Sequence, residues 1–121
     1  MKEFIRVMKA LSDPNRVRIL KLLQHQQELC VCELHPLIGL AQSTVSKHMK
    51  LLEEADLVHY YKQGSWIIYQ LSDGEESVYA KTMLANLTDW LSDDPVLEKM
   101  LETVPKVIRE PNCSQYTRLP L

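Results

Sequence analysis

Gly39-Leu40-Ala41-Gln42-Ser43-Thr44-Val45-Ser46-Lys47-His48-Met49-Lys50-Leu51-Leu52 contains the turn and the helix from which the rest of the fold follows. Gly39 suits the positive φ of a tight turn. Beyond it Val45, Met49 and Leu52 recur at three- and four-residue spacing, which predicts a helix over 42–55 with one apolar stripe. Residues 31–38 read as a shorter helix that stops at Gly39, so the pair is joined by a three-residue link in the manner of a helix-turn-helix. After residue 55 the character changes. Leu57-Val58-His59-Tyr60-Tyr61 and Trp66-Ile67-Ile68-Tyr69-Gln70-Leu71 are rich in β-formers and flank Lys62-Gln63-Gly64-Ser65 as a turn, which predicts a hairpin.

Working outward, Phe4, Ile5, Met8 and Leu11 are spaced as a first helix over 2–11. Ser12-Asp13-Pro14 ends it and starts a second, with Asp13 as cap and Pro14 in the first turn. That second helix runs to about Gln24 and buries Val17, Ile19, Leu20, Leu22 and Leu23. A polar connector, 24–29, precedes the helix at 31–38. Past the hairpin, a fifth helix is expected over 75–91 with Val78, Met83, Leu84, Leu87 and Leu91 as its apolar side. Asp94-Pro95 opens another, which Pro105 breaks. The expected class is mainly α with a β-hairpin wing, a winged helix-turn-helix. Residues 1–110 make one DNA-binding and dimerisation domain, and 111–121 a loose tail. The first and fifth helices, with the segment after Pro95, carry more apolar surface than a small core needs, which predicts a homodimer.

A chain of 121 residues with 45% hydrophobic and 25% charged residues suits one globular domain. No apolar run is long enough to span a membrane. The start enters amphipathic helix directly, without a signal peptide, so the expected location is cytoplasmic and the thiols are expected to be reduced. Three cysteines are an odd number, which argues against a disulfide framework. A net charge of −2 neither requires nor excludes nucleic acid, because the acidic residues concentrate in 73–102.

Gln42, Ser43, Thr44, Ser46, Lys47, His48 and Lys50 crowd one helix. These residue types bond base edges and phosphates, and a recognition helix offers its N-terminal residues to the major groove. A solvated polar face is the bland alternative. The preceding helix and Gly turn and the following hairpin, with Lys62 at its tip as a phosphate contact, favour DNA.

Glu28-Leu29-Cys30-Val31-Cys32-Glu33 holds two of the three cysteines just before that motif. Both lie near a helix start, which favours thiolate. In regular helix, side chains at i and i+2 point roughly 200° apart. A ligand needing both sulfurs is therefore expected to unwind the helix start.

Ala10-Leu11-Ser12-Asp13-Pro14-Asn15-Arg16-Val17-Arg18-Ile19-Leu20, the Cys30/Cys32 segment, Ser43–Leu52 and Gly64–Leu71 together resemble the ArsR/SmtB family of bacterial metalloregulators over about residues 4–92. The Cys segment resembles the arsenic-binding box of the arsenic-responsive branch. The resemblance implies a homodimeric repressor that binds a palindromic operator and leaves it when As(III) or Sb(III) binds Cys30 and Cys32, with no organic cofactor. The sequence departs from the family pattern in three places. His35 stands where the box often has a third cysteine, so a third sulfur comes from Cys113 or a small thiol, or is absent. Ala41 replaces the usual hydroxyl cap, with Ser43 as a later alternative. The fifth helix has no histidine, which argues against a zinc site there. Two rivals keep the fold and change the signal: Zn(II) or Cd(II) at Cys30, Cys32 and His35, or thiol oxidation. A thiol redox enzyme is a further alternative, weakened by the lack of a thioredoxin-like frame.

Overall fold

Short capping signals set most of the boundaries. The computed structural model describes residues 1–104; Pro105, Cys113 and the expected domain boundary after residue 110 lie outside the described residues. The order is α1 (Lys2–Ala10), α2 (Pro14–Gln26), β1 (Leu29–Cys30), α3 (Val31–Ile38), α4 (Gln42–Glu54), β2 (Val58–Gln63), β3 (Trp66–Leu71), α5 (Val78–Leu87) and α6 (Pro95–Thr103). Asp13 accepts the Arg16 backbone N–H at 3.1 Å and Pro14 opens α2. Asp94 does the same for α6, accepting from Leu97 N–H at 3.0 Å. Gly39, at φ 81°, closes α3 in the left-handed region that favours glycine.

The mainly helical, winged helix-turn-helix class is observed, with one addition. Leu29 and Cys30 form a short strand against β3, so the sheet is three-stranded and antiparallel in the order β1-β3-β2, with Leu29 opposite Tyr69 and Cys30 opposite Ile68. Three expectations are corrected. The hairpin turn is only Gly64-Ser65: β2 continues through Lys62, opposite Ile67, and Gln63, opposite Trp66. Lys62 thus sits in the strand, next to the tip. The fifth helix is shorter at both ends, because the buried Ser77 hydroxyl caps Ala80 N–H at 3.1 Å and Leu91 turns to φ 62°. Of the expected apolar side, Leu84 and Leu87 are buried while Val78 and Leu91 are exposed. Along α1 the buried positions are Val7 and Ala10, while Phe4 and Ile5 stay exposed; in α2, Val17 is only half-buried.

One apolar core joins α2 (Ile19, Leu20, Leu22, Leu23), α3 (Leu34, Leu37, Ile38), α4 (Val45, Met49, Leu52) and α5 (Leu84, Leu87). It seats α3 directly behind α4. Among the described residues no helix is long and apolar enough to cross a membrane.

Candidate functional site

The outer side of α4 carries the expected polar set. Ser43, Thr44, Lys47 and Lys50 are exposed, and Gln42 and His48 are half-buried. Ser46 differs: its Oγ has essentially no accessible surface and no hydrogen-bond partner in the described chain. Its hydroxyl is turned from solvent, at a cost of roughly 1–3 kcal/mol for an unsatisfied polar group. Ala41 is the N-cap, so the helix starts at Gln42 and no side chain caps it. A helix end of that kind suits a phosphate oxygen. Lys62 is exposed on the wing. Between wing and helix, Tyr60 and Tyr69 pack with ring centroids 5.8 Å apart. Burial, reinforced by the charge of Glu53 and by Tyr60, pushes the Tyr69 phenol up to about 12, so it stays a neutral donor.

Sequence reading missed what holds this face in place. Arg16 sits at the start of α2. Its Nε donates to Ala10 O at 2.8 Å and its Nη2 to Lys9 O at 3.2 Å, tying down the last turn of α1. Its Nη1 lies 3.2 Å from His48 Nδ1 on α4. The partners are 32 residues apart in sequence, and no local pattern announces the pair.

The two cysteines meet behind this face. Cys30 is not in the helix: it is the N-cap of α3, with extended backbone at φ −96° and ψ 167°. Cys32 is in the first turn, and the two Sγ atoms are 2.6 Å apart. The expected divergence of the sulfurs is therefore wrong, because the i, i+2 rule holds only when both residues are helical. Cys30 and Glu33 form a reciprocal capping box. The Cys30 side chain accepts from the Glu33 backbone, and Glu33 Oε1 accepts from Cys30 N–H at 2.9 Å. The Cys-x-x-Glu spacing was the signal for this box. The hydrogen bond with Cys32 holds the Cys30 thiol below its ordinary pKa, against burial and the Glu33 charge, which push it up. Cys30 is 2% exposed, while Cys32 is half-buried and reachable from outside.

Among the described residues, Cys30 and Cys32 gather no third His, Cys, Asp or Glu ligand atom within 4.8 Å; His59, Asp73 and Glu76 form the one such group of three. His35 is half-buried on α3 and does not join the sulfurs. Cys113 is outside the described residues. What the arrangement offers is a dithiol pair on the cap of the helix that backs α4.

Residues 13–60 match the family model described as bacterial regulatory protein, arsR family. The chain is 36% identical over 92 residues to the arsenic resistance transcriptional regulator ArsR1 of Pseudomonas putida, covering 73% of this chain and 71% of that one. It is 40% identical over 68 residues to a homolog of the cadmium resistance transcriptional regulatory protein CadC of Staphylococcus aureus, covering 56% of each. In structure it is similar to the AntR antimony-specific transcriptional repressor, at TM-score 0.57 and 25% identity, covering 70% of this chain and 73% of that one.

Proposed function

This chain belongs to the arsR family of bacterial regulatory proteins and is a transcriptional repressor, not an enzyme; on that premise we propose that it is a cytoplasmic homodimer that leaves a palindromic operator when As(III) or Sb(III) binds Cys30 and Cys32. The observation that carries the reading is the convergence of two sulfurs, 2.6 Å apart, on the cap of α3. Arsenite is thiophilic, and soft thiolates are its natural ligands. Two thiols condense with As(OH)3 to give a dithiolate As–OH and two waters. A third thiol exchanges for the remaining hydroxide; Cys113 is the chain's own candidate.

The switch follows from the cap. Two sulfurs sharing one centre through bonds of about 2.3 Å stand roughly 3.5–3.8 Å apart. Binding one centre would shift the Cys30 sulfur from its place beside Cys32 and replace its S–H by S–As. That shift draws Sγ away from the Glu33 N–H, and the first turn of α3 loses its cap. An N-cap is worth about 1 kcal/mol. Cys30 is also paired to Ile68 of the wing, so the same movement reaches α4 and the wing together. This replaces unwinding forced by divergent sulfurs.

Dimer formation is supported by the apolar side chains left outside on α1 and α5. Phe4 and Ile5 on α1 are each about two-fifths exposed, Val78 on α5 is 63% exposed, and Phe4 meets Tyr79 edge-on at 5.4 Å. A two-fold pair of α4 helices about one DNA turn apart reads a palindrome. In this reading residues 1–110 are the binding and dimerisation domain, and 111–121 a tail. Gln42, Ser43, Thr44, Lys47, His48, Lys50 and Lys62 make the contacts. Ser46 joins them only if its hydroxyl is released from the interior. Thiol oxidation is a second reading, favoured by the same closeness of the sulfurs.

The test is release of a bound operator duplex by arsenite, antimonite, cadmium, zinc and peroxide. Release by arsenite and antimonite at concentrations where the others do nothing supports the proposal. Release by peroxide alone supports the second reading, and release by zinc or cadmium alone contradicts both.

A further inference from the structure

We propose that Arg16 is a positioning residue for DNA recognition: by donating to His48 Nδ1 it fixes that ring as the Nε2–H tautomer, so that His48 offers the duplex a hydrogen-bond donor. The acceptor it takes is a guanine N7/O6 edge or a phosphate oxygen. The inference rests on the reading of α4 as the DNA-facing helix.

The argument is one of donors and acceptors. A guanidinium has five N–H donors, no acceptor, and stays charged at any working pH. His48 Nδ1 lies 3.2 Å from Arg16 Nη1, so the ring nitrogen must present its lone pair there. A neutral imidazole with Nδ1 as acceptor carries its proton on Nε2. A protonated ring would set N–H against N–H and one cation against another. The guanidinium is itself fixed, because Lys9 O and Ala10 O take two more of its donors. Arg16 N–H in turn is held by Asp13 Oδ2 at 3.1 Å. Four elements of geometry therefore converge on one proton. His48 follows Thr44 by one helical turn, on the side of α4 that carries exposed Thr44, Lys47 and Leu51. Nothing in the local sequence separates this histidine from a solvated one; the difference lies in a residue from α2.

The direct test needs no variant. A long-range 1H–15N spectrum of the free wild-type dimer is expected to show His48 Nδ1 as the unprotonated, pyridine-type nitrogen and Nε2 as the protonated one. The reverse assignment, or an averaged mixture of tautomers, overturns the proposal. On DNA, operator duplexes are scanned with 7-deazaguanine and, separately, with methylphosphonate. Wild type is expected to lose roughly tenfold at one position of one scan, which names the source of the acceptor. His48→Ala and Arg16→Ala should both be insensitive at that same position. A glutamine side chain is a donor without help from Arg16, so Arg16→Ala/His48→Gln should regain the sensitivity, which a loss of folding would not allow. Selective wild type with unchanged sensitivity in His48→Ala sinks this inference alone. Wild type that cannot tell operator from random duplex sinks the reading of α4 and this inference with it.

Discussion

Replacing Cys30 by alanine or by serine separates its two jobs, helix cap and inducer ligand. Alanine removes the acceptor for Glu33 N–H and leaves the box half-built, since Glu33 Oε1 still reaches the backbone N–H of residue 30 at 2.9 Å. Loss of an N-cap costs about 1 kcal/mol, within roughly 0.5–2. A dimer loses it twice, about 2 kcal/mol. At 1.4 kcal/mol per factor of ten, full transmission to the two α4 helices weakens operator binding roughly 30-fold, the ceiling for this route. Serine is among the best N-caps, so Cys30→Ser should bind within about threefold of wild type and be blind to arsenite. Fluorescence anisotropy on an operator duplex selected from a random pool gives both affinities, and amide exchange at residues 31–34 reports the cap. If Cys30→Ala binds as tightly as wild type and its first turn exchanges no faster, the cap does not carry the switch. If Cys30→Ser is released at the wild-type arsenite concentration, the inducer does not need that sulfur.

Three further outcomes are expected. Leu34→Ala, at a fully buried position on α3, should lower unfolding free energy by about 2–5 kcal/mol in urea titration; a loss below about 1 would contradict the packing of α3 behind α4. Arg18 Nε donates to Asp94 Oδ2 at 3.0 Å and holds that carboxyl below the usual range. A depressed folded pKa stabilises above the ordinary value, about 3.9, and the contribution is lost as pH falls through the folded value. Asp94→Asn should therefore flatten the acid limb of stability against pH, and an unchanged limb would show that the pair contributes nothing. Lys62→Ala should weaken operator and random DNA alike and reduce the log–log salt slope by about 1; an unchanged slope would remove Lys62 from the phosphate contacts.

What the sequence made legible was whatever local chemistry decides. Asp13 and Pro14 at the start of α2, Gly39 at the end of α3 and the Val45–Met49–Leu52 stripe of α4 are short-range signals, and each appears where expected. The failures are long-range. A two-residue strand has no alternation to detect, and Leu29-Cys30 becomes one only because β3 lies beside it. The start of α5 turned on Ser77 winning the cap, and the apolar spacing alone did not separate exposed Val78 and Leu91 from buried Leu84 and Leu87. At the site the cysteines themselves were plain, but their geometry was not: one residue's difference in where the helix begins turns divergent sulfurs into convergent ones. Arg16 and His48 come together only in the fold.

The central claim, that the dithiol pair is the inducer site, is tested most directly in Cys32→Ser. Cys32 is not the cap, so the capping box survives and operator affinity is expected to match wild type. Arsenite is then titrated into the preformed complex of each protein with operator duplex. The account predicts that the wild-type complex dissociates while the Cys32→Ser complex stays bound across the same range. Dissociation of the Cys32→Ser complex at the wild-type midpoint would contradict it.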